Sequence, residues 1–458
     1  MIEATIAADL RVDAVSLTAE HRSALATALA YRNPEHEQAE RMGDARALRI
    51  LPPFLSALRV DGAQLVMPRA TGSILAGIVG REIVRFEDRR VLAPLPESLA
   101  PRGELRRYQA RVVSGMLRGS GVATMPTGAG KTVTALHLIA AAGQCALVLV
   151  MSRDLGEQWV RAIREVLGFE APLCAAGRVE LAPIVVALVQ TLAVPERLAL
   201  VRDRFGTVVF DEAQHVPAGT ALAVLGGLPA RNRWAVSATP VRADGLDVLT
   251  RWHVGPVRGS VSIAELQAAG YLALPRYVQV ATNYTTNLDA SSEFTNVVTE
   301  AAGDPGRNAM IADRIAADCR GGVVGLALVA RVSAVAELVE LLSARGCRAI
   351  GISGASSPAV RRKALDATRA GAVDALVATT IADEGLDVPI LQNLYLAANS
   401  KAEGRMLQRI GRVLRPHPAK GAPLIVDFVD ARVGVLAYQG RMRRDIFARH
   451  FGAASVAA

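Results

Sequence analysis

The sequence of 458 residues predicts an α/β protein in which a small α+β N-terminal domain precedes two tandem parallel-sheet lobes. From roughly residue 101 to 255, short apolar, β-prone segments alternate with helical stretches, which is the pattern of a parallel sheet. A second series of the same kind begins after residue 274. Only the first series contains a glycine-rich phosphate-binding loop.

The strands of both lobes can be placed from their apolar runs. In the first lobe we expect strands at 122–124, 146–151, 184–189, 208–210 and 234–236. In the second lobe we expect strands at 277–281, 323–329, 349–352, 375–378, 393–396 and 424–426. In the N-terminal region, a helix at 18–31 ends before Asn33-Pro34, and an Asp-Gly turn at 61–62 predicts a hairpin.

Composition limits the class of protein. Apolar residues make up 51% of the chain and charged residues 21%, which supports folded cores and argues against a disordered chain. No apolar run has the length of a membrane span, and acidic residues near the N-terminus argue against a signal peptide. Four scattered cysteines form no C-x-x-C pair, so we expect no zinc site and no disulfide framework. We therefore expect a cytoplasmic protein with no membrane partner.

The net charge of +9 is unevenly distributed along the chain. Residues 1–100 hold 12 arginines against 13 acidic residues, a net of −1, whereas residues 401–458 hold 11 basic against 4 acidic residues, a net of +7. A polyanionic partner bound mainly by the C-terminal half is one interpretation. An arginine-rich solvated surface is the other, and charge alone does not decide between them. Lysine is rare and occurs only at positions 131, 363, 401 and 420.

Residues 125–132 read M-P-T-G-A-G-K-T, which is the spacing of a phosphate-binding loop. The loop follows an apolar stretch and opens a helix-like run, so backbone N–H groups and the helix dipole would favour a bound triphosphate. Lys131 would neutralise the β- and γ-phosphates, and the Thr132 hydroxyl would bind Mg²⁺. The rest of the expected nucleotide cradle is Thr127, Gly128, Ala129 and Gly130.

Two carboxylates follow a later β-prone segment. Residues 207–215 read T-V-V-F-D-E-A-Q-H, so Asp211 and Glu212 come directly after the strand. Parallel strands present their carboxyl ends to ligands, and both carboxylates are therefore expected near the phosphate loop. Asp211 would hold Mg²⁺, and Glu212 would polarise the attacking water as general base. Together these residues predict hydrolysis of a nucleoside triphosphate.

With its further motifs the chain resembles the superfamily 2 helicases and translocases over roughly residues 101–435. The segment L-R-R-Y-Q at 105–109 is similar to the adenine-reading motif, and S-A-T-P at 237–240 to the motif that couples the ATP and nucleic-acid sites. The segment Q-R-I-G-R-V-L-R-P at 408–416 is similar to the arginine-finger motif. The resemblance implies two RecA-like lobes that use ATP and Mg²⁺.

In the first lobe the resemblance implies several residue roles. Gln109 would hydrogen-bond the adenine and favour ATP, and Arg106 would stack on the base. Ser237 and Thr239 would couple the two sites through their hydroxyls. The positions of the strand-contacting motifs are occupied by Ser152, Arg153, Gln190 and Thr191.

In the second lobe the resemblance implies that Thr379 and Thr380 touch a backbone phosphate. Gly385 and Asp387 are expected at the nucleotide, with Asp387 at a ribose. Arg412 and Arg415 would act as arginine fingers that neutralise charge on the γ-phosphate. On a helix, both arginines share one face with Gln408, and we expect all three to take part in catalysis.

Further segments resemble the XPB/RadD-like branch and the motor subunits of type I and type III restriction enzymes. They are E-L-x-x-x-G-Y-L at 265–272 and I-V-D-F-V-D at 425–430. Those relatives mostly translocate on DNA. The segment D-E-A-Q-H at 211–215 departs from the D-E-A-H or D-E-C-H of many relatives. We expect Gln214 and His215 to relay between the ATP site and the second lobe.

The expected organisation has five parts. They are an N-terminal accessory domain for targeting or partner binding (1–95), an ATP-binding lobe (96–255), a linker (256–275), a second lobe (276–438) and a basic C-terminal tail (439–458). The near-neutral charge of the accessory domain argues against a large phosphate-binding face there.

The sequence thus predicts an ATP-dependent DNA helicase or translocase that couples hydrolysis to movement on DNA, in repair, recombination, replication or phage and defence processes. Duplex or branched DNA is favoured over RNA as the partner. Two alternatives stay open: an ATP-gated DNA clamp or scaffold subunit of a larger complex, and an RNA helicase. No nuclease signature is visible, so such chemistry would come from a partner subunit.

Overall fold

The structure is a computed structural model that describes residues 1–238, 244–290, 292–379, 388–398, 403–415, 417–452 and 455, with only the backbone of residues 404 and 405. The chain divides into two compact units. One unit comprises residues 1–125 and 130–261, and the other comprises residues 126–129 and 262–458. Within the described parts of the chain, no helix combines the length and the apolar character needed to cross a membrane.

The N-terminal region forms a small α+β domain within the first unit. Five of its strands build a mixed sheet in the order β5-β6-β2-β1-β7, and β3 and β4 pair separately. The predicted hairpin is present, since β5 and β6 are antiparallel and Gly62 in their turn has a positive φ of 59°. The elements are β1 (Ile2–Ile6), β2 (Leu10–Asp13), α1 (Ala19–Ala28), β3 (Ala30–Arg32), α2 (Pro34–Met42), α3 (Ala45–Ile50), β4 (Phe54–Ser56), β5 (Arg59–Asp61), β6 (Gln64–Met67), α4 (Gly72–Val79) and β7 (Val84–Asp88).

The rest of the first unit is built on a seven-stranded parallel sheet in the order β10-β11-β9-β12-β13-β8-β14. Two of its inner strands, β9 and β11, are entirely apolar and almost completely buried, as strands covered on both faces require. The elements are α5 (Arg107–Leu117), β8 (Gly121–Thr124), α6 (Lys131–Ala142), β9 (Ala146–Val150), α7 (Arg153–Leu167), β10 (Leu173–Cys174), β11 (Ile184–Leu188), α8 (Val189–Leu192), α9 (Pro195–Val201), β12 (Thr207–Asp211), α10 (Gly219–Gly226), β13 (Asn232–Ser237), α11 (Asp247–His253) and β14 (Val257–Ser260).

The parallel pairing brings the predicted motifs of this lobe to one edge of the sheet. β12 pairs with β9 and β13, and β13 pairs with β8, all in parallel. The carboxyl ends of these strands therefore lie at the same edge, and the phosphate loop, the Asp-Glu pair and Ser237 follow from them. This is the edge at which α/β sheets bind ligands.

The second unit is built on a six-stranded parallel sheet in the order β15-β20-β19-β16-β18-β17. The two parallel-sheet lobes and the small N-terminal domain confirm the predicted fold class. The elements are α12 (Ile263–Ala268), β15 (Arg276–Ala281), α13 (Phe294–Gly303), α14 (Pro305–Asp318), β16 (Gly325–Leu328), α15 (Val332–Ser343), β17 (Ala349–Ile352), α16 (Pro358–Arg369), β18 (Ala375–Ala378), β19 (Asn393–Leu396), α17 (Glu403–Val413), β20 (Leu424–Val429) and α18 (Gly434–Phe451).

Two of the predicted boundary segments are more ordered than expected. The stretch predicted as a linker contains β14, which pairs in parallel with β8 in the first sheet, and α12. The stretch predicted as a basic tail continues α18, in which Arg443 is buried and its guanidinium forms an ion pair of 2.9 Å with Asp427 of β20. The segment from residue 256 is therefore not a bare linker, because β14 pairs with the first sheet. The basic residues from 439 were expected to form a short helix that packs on the second lobe or touches DNA, and the buried ion pair shows that this helix packs on the second sheet.

Buried arginines join the N-terminal domain to the first parallel sheet. The guanidinium of Arg233 on β13 donates to the carbonyl oxygens of Ala8, Leu225, Leu228 and His253 at 2.7–3.1 Å. Arg69 from the N-terminal domain donates to the carbonyl oxygen of Ala230 at 2.5 Å. Burial lowers the pKa of Arg233 to about 10, and its carbonyl partners compensate for the lost water.

His253 lies at the same junction and gives it a dependence on pH. Burial, together with the charges of Arg233 and Arg59, lowers the pKa of His253 to about 3. In the unfolded chain this histidine has an ordinary pKa of about 6.5. As the pH falls, the unfolded chain therefore binds a proton at His253 that the folded chain does not bind. The free energy of unfolding that this histidine contributes above about pH 6.5 is lost below that pH.

We predict that the first unit loses about 2 kcal/mol of unfolding free energy between pH 7.5 and pH 5 in excess of the loss in a His253→Gln variant. Urea unfolding followed by tryptophan fluorescence measures this difference, because all three tryptophans (159, 234 and 252) lie in the first unit. His417→Gln, in the second unit, is the control and should leave the pH dependence of the wild-type chain in place. Equal losses in the wild-type and His253→Gln chains would contradict the prediction.

Candidate nucleotide-hydrolysis site

The phosphate loop joins β8 to α6 as its sequence predicts. Gly128 and Gly130 have positive φ angles of 89° and 76°, a conformation that residues with a Cβ rarely adopt. A Cβ at Gly130 would also lie 2.5 Å from Nε2 of Gln109, and that side chain would have to move. α6 begins at Lys131, and its first turn offers unpaired N–H groups and the positive end of its dipole to an anion.

Lys131 and Glu212 lie together at this edge. The Nζ of Lys131 is 3.6 Å from Oε1 of Glu212, and both side chains are largely buried. Glu212 has φ 60° and ψ 68°, a left-handed conformation that is rare for a residue with a long side chain. Such strain persists only where the surroundings hold it, and it is frequent at functional sites.

Asp211 ends β12 and is only 4% exposed. Its Oδ2 accepts a hydrogen bond of 2.7 Å from the indole N–H of Trp159, and its Oδ1 accepts one of 2.9 Å from the backbone N–H of Glu212. Burial, and then the neighbouring Glu212 charge, raises the pKa of Asp211 above its ordinary value. A cation near this carboxylate would therefore be favoured electrostatically.

A chain of hydrogen bonds leads away from the Asp-Glu pair. The side-chain amide of Gln214 donates to Oε2 of Glu212 at 3.0 Å. The Oε1 of the same glutamine accepts a hydrogen bond of 2.7 Å from the Ser237 hydroxyl. Gln214 thus bridges the acidic pair and the first residue of the S-A-T-P segment. The backbone N–H of His215 donates to the Glu212 carbonyl at 2.9 Å.

The two residues of the adenine-reading motif differ in their surroundings. Gln109 is buried, and its Oε1 accepts a hydrogen bond of 2.9 Å from the backbone N–H of Arg106 at the start of α5. Arg106 is exposed, with its guanidinium 3.4 Å from the Tyr108 hydroxyl. Gln109 therefore caps a helix as well as lying beside the phosphate loop.

The strand-contacting candidates of the first lobe also follow its sheet edge. Ser152 is the N-cap of α7, where its hydroxyl accepts from the backbone N–H of Leu155 at 3.4 Å. Arg153 and Gln190 are exposed, which suits contact with a polyanion. Thr191 is 4% exposed, so its side chain does not present a surface to nucleic acid in this structure.

In the second lobe, Gln408 and Arg412 lie on α17, whereas Arg415 lies beyond its end at Val413. The prediction that all three share one helical face is wrong for Arg415, because the helix stops two residues earlier. Gln408 is largely buried, and so is Thr379 after β18. Thr239, Thr380, Gly385 and Asp387 fall outside the described residues, and their predicted roles stay predictions.

Both ends of α17 are held by residues to which the sequence assigns no role. Nζ of Lys420 donates to the carbonyl oxygens of Val413 at 2.8 Å and Arg415 at 2.7 Å. A lysine at this end also matches the negative pole of the helix dipole. At the other end, Glu403 contacts His450 of α18 at 2.7 Å. The rarity of lysine in the chain was the only sequence signal for Lys420.

The residues at the sheet edge fit a magnesium ion bound together with phosphate. Mg²⁺ prefers hard oxygen ligands and keeps several waters, with few ligands from the protein. Asp211 supplies a buried carboxylate and Thr132 a hydroxyl in the first turn of α6. In the described part of the chain, no group of three or more His, Cys, Asp and Glu side chains could hold a metal. Water and phosphate oxygens would complete the coordination of such an ion, as is usual for Mg²⁺.

Comparison with known proteins identifies the family of the chain. Residues 102–242 match the family model of the type III restriction enzyme res subunit, and residues 320–417 match the helicase conserved C-terminal domain. The two matches fall on the two parallel-sheet lobes in the order that the motifs predict. The chain belongs to the superfamily 2 helicases and translocases, which confirms the resemblance seen in its sequence.

Two relatives show where the chain lies within this superfamily. Rad25 of Halobacterium salinarum, named as a DNA 3'-5' helicase, is 30% identical over 326 residues, which cover 68% of this chain and 52% of that protein. The chain thus spans about half the length of that relative. The DNA 3'-5' translocase XPB2 of Sulfurisphaera tokodaii is 28% identical over 351 residues, which cover 68% of this chain and 79% of that protein.

A solved structure supports the two-lobe fold. The structure of Dbp5 from S. cerevisiae bound to RNA and ADP BeF3 is similar with a TM-score of 0.56 and 16% identity, over 84% of this chain and 93% of that one. At this identity the likeness concerns the fold alone, which is that of two RecA-like lobes.

The position of Gln109 leads to a test of nucleotide choice. Gln109→Glu keeps the oxygen that accepts from Arg106 but removes the Nε2 donor. We predict that the ratio of kcat/KM for ATP to that for GTP falls about threefold to tenfold, the value of one hydrogen bond. Steady-state hydrolysis of both nucleotides measures it, and the ratio cancels any general effect of the new charge.

Gln144→Glu is the matched control. Gln144 also uses its Oε1 to accept from a backbone N–H, that of Ala93 at 2.7 Å. This variant should keep the selectivity of the wild-type chain. Unchanged selectivity in Gln109→Glu would count against a role of Gln109 in reading adenine.

Proposed function

We propose that the chain is an ATP-dependent motor that moves along DNA. The observation that carries the proposal is the continuous path from Lys131 through Glu212 and Gln214 to Ser237. It joins the phosphate loop to the S-A-T-P segment along one sheet edge. Such a path lets the state of the nucleotide affect the residues that couple to nucleic acid.

Each residue of the path has a role in hydrolysis under this proposal. Lys131 binds the β- and γ-phosphates, and Glu212, no longer restrained by that lysine, orients and deprotonates the attacking water. Asp211 and Thr132 hold Mg²⁺, which supplies charge neutralisation at the phosphates. Gln214 keeps Glu212 in place through its amide donor. Arg412 and Arg415 are proposed arginine fingers because their motif resembles that of the family.

DNA is the proposed track. The relatives from Halobacterium salinarum and Sulfurisphaera tokodaii are named as acting on DNA. The excess of basic residues in the C-terminal 58 residues suits a phosphate backbone. Translocation on duplex or branched DNA is our first choice. The cytoplasm is the proposed compartment, and a nuclease or other partner subunit would supply any cleavage of the DNA.

Two other functions use the same residues and stay as alternatives. An ATP-gated clamp would bind DNA and hydrolyse ATP without moving. An RNA helicase would take its main stimulation from RNA. The acidic Glu212, in reach of Lys131, suits ATP turnover, which all three functions share, so the choice among them depends on the nucleic acid and on movement.

Substitution of the general base tests the hydrolysis site. Glu212→Gln keeps an acceptor for Gln214 but cannot deprotonate water, so we predict a fall in ATP turnover of about 100-fold or more. Because phosphate binding is left to Lys131, the variant should still bind ATP and stay on DNA. Filter binding with labelled ATP, alongside steady-state turnover, measures both.

Lys131→Ala is the contrasting variant, and it should lose ATP binding as well as turnover. Undiminished hydrolysis by Glu212→Gln would require another base. Near-normal turnover by Lys131→Ala would overturn the assignment of the nucleotide site.

The nature of the track is tested by stimulation and by displacement. We predict that duplex DNA stimulates the ATPase more than RNA of the same sequence, and that the stimulation falls steeply with salt because the contacts are to phosphates. ATP-dependent displacement of a third strand from a DNA triplex should accompany it, since that assay reports translocation without strand separation. Lys131→Ala should displace nothing.

Each alternative has its own signature in these assays. DNA-stimulated hydrolysis without triplex displacement would indicate the clamp. Stronger stimulation by RNA than by any DNA would indicate the RNA helicase.

A further inference from the structure

Trp159 contacts the carboxylate that the proposed function assigns to Mg²⁺. Its indole N–H donates to Oδ2 of Asp211 at 2.7 Å, and its ring is 1% exposed. The sequence shows a tryptophan inside a strand-contacting motif and assigns it no role. The structure thus adds a residue to the candidate site.

This hydrogen bond fixes the orientation of Asp211. The carboxylate accepts from the indole through Oδ2 and from the backbone N–H of Glu212 through Oδ1, so both oxygens are tied. Rotation of the carboxylate plane would break one of these bonds inside the protein, where an unmade hydrogen bond is costly. The remaining lone pairs of Asp211 therefore keep one direction.

The same tryptophan belongs to the helix that begins at the strand-contacting residues. α7 starts after its N-cap Ser152, and Arg153 in its first turn is exposed. Trp159 lies two turns further along, about 10 Å from Ser152 by the helical rise. It shares the buried face of α7 with Gly156, Ile163 and Leu167, which packs the helix against α6 and β11. A movement of α7 therefore moves the indole relative to β12.

We propose that Trp159 is a positioning residue that orients Asp211 for Mg²⁺ and transmits displacement of α7 to this carboxylate when nucleic acid binds at the helix N-terminus. The proposal rests on the proposed function for the identity of the metal and of the nucleic acid. The residues on which the proposal depends all lie in one compact unit, so the quoted distances and burial are measured within that unit. It predicts two separate effects, one on magnesium and one on coupling to DNA.

The first experiment compares two tryptophan-to-phenylalanine variants. Trp159→Phe removes the donor to Asp211, whereas Trp234→Phe removes a donor of 3.0 Å to the carbonyl oxygen of Gly119. Both rings are 1% exposed and both lie in the first unit, so the two variants lose similar packing and one buried hydrogen bond each. Thermal unfolding should report comparable losses of stability.

The readout is the Mg²⁺ concentration that gives half-maximal equilibrium binding of a fluorescent ATP analogue, without DNA and without turnover. We expect this concentration to rise about tenfold in Trp159→Phe, the lower end of the range for a lost partner of a metal ligand, and to stay at the wild-type value in Trp234→Phe. Equal magnesium requirements in the two variants would overturn the role of Trp159 in positioning Asp211.

The second experiment leaves Trp159 in place and uses it as the reporter. The chain has three tryptophans, so the double variant Trp234→Phe, Trp252→Phe emits from Trp159 alone. We expect duplex DNA to change this emission, and Arg153→Ala to remove the change at DNA concentrations that saturate binding. Since the ring is buried, DNA cannot contact it, and a change reports its internal surroundings. Saturating DNA binding with constant emission would overturn the coupling.

The failure of this inference is distinguishable from the failure of the proposed function. A wild-type chain without DNA-stimulated ATPase would refute the motor itself. If the wild-type chain has normal DNA-stimulated ATPase and the Trp159→Phe and Trp234→Phe variants have equal magnesium requirements, only the role of Trp159 is refuted.

Discussion

The parallel register of β12 between β9 and β13 is the constraint on which the candidate site depends. Asp211 is opposite Val236, and Ser237 on the same neighbouring strand is opposite Thr124, from which the phosphate loop continues. Since every pairing is parallel, the segments that follow these strands emerge at one edge. A slip of one residue would turn the Asp211 side chain to the other face of the sheet and separate it from the phosphate loop. Backbone pairing thus determines which residues meet at the candidate site.

A buried carboxylate at that edge needs compensation, and the surrounding residues supply it. Asp211 would lose the solvation of its charge, and two donors, one from Trp159 and one from the backbone, replace water. Glu212 adopts a left-handed conformation, which costs about 1–3 kcal/mol and turns its side chain into reach of both Lys131 and Gln214. The cost in backbone strain at this point thus accompanies a defined position of the Glu212 carboxylate, the proposed general base.

Sequence patterns predicted the strands of the lobes better than they predicted contacts between elements. The strands at 349–352, 375–378 and 393–396 are observed with the predicted bounds, because a buried parallel strand is a short apolar run with clear ends. The strand at 257–260 was not recognised, since V-R-G-S has little apolar character and depends on pairing with β8. Arg415 was assigned to a helix that ends at Val413, where Lys420 caps the last carbonyls from seven residues away. The hydrogen bond from Trp159 to Asp211 joins residues 52 positions apart, and no spacing along the chain reveals it.

The N-terminal domain makes buried contacts with the first lobe, so deletion of the domain cannot test its role. Removing the first 95 residues would take away Arg69 and the Ala8 carbonyl that accepts from Arg233, and it would expose a guanidinium that is now fully buried. It would also remove Tyr31, whose ring meets Trp252 edge-on at 6.4 Å. A changed preference among DNA substrates in such a truncated chain would reflect a damaged lobe as readily as a lost targeting surface. The solvent-facing side of this domain is therefore the place to substitute residues. Exposed arginines there, such as Arg46 and Arg49 on α3, can be replaced without touching the buried arginine contacts that join the domain to the sheet.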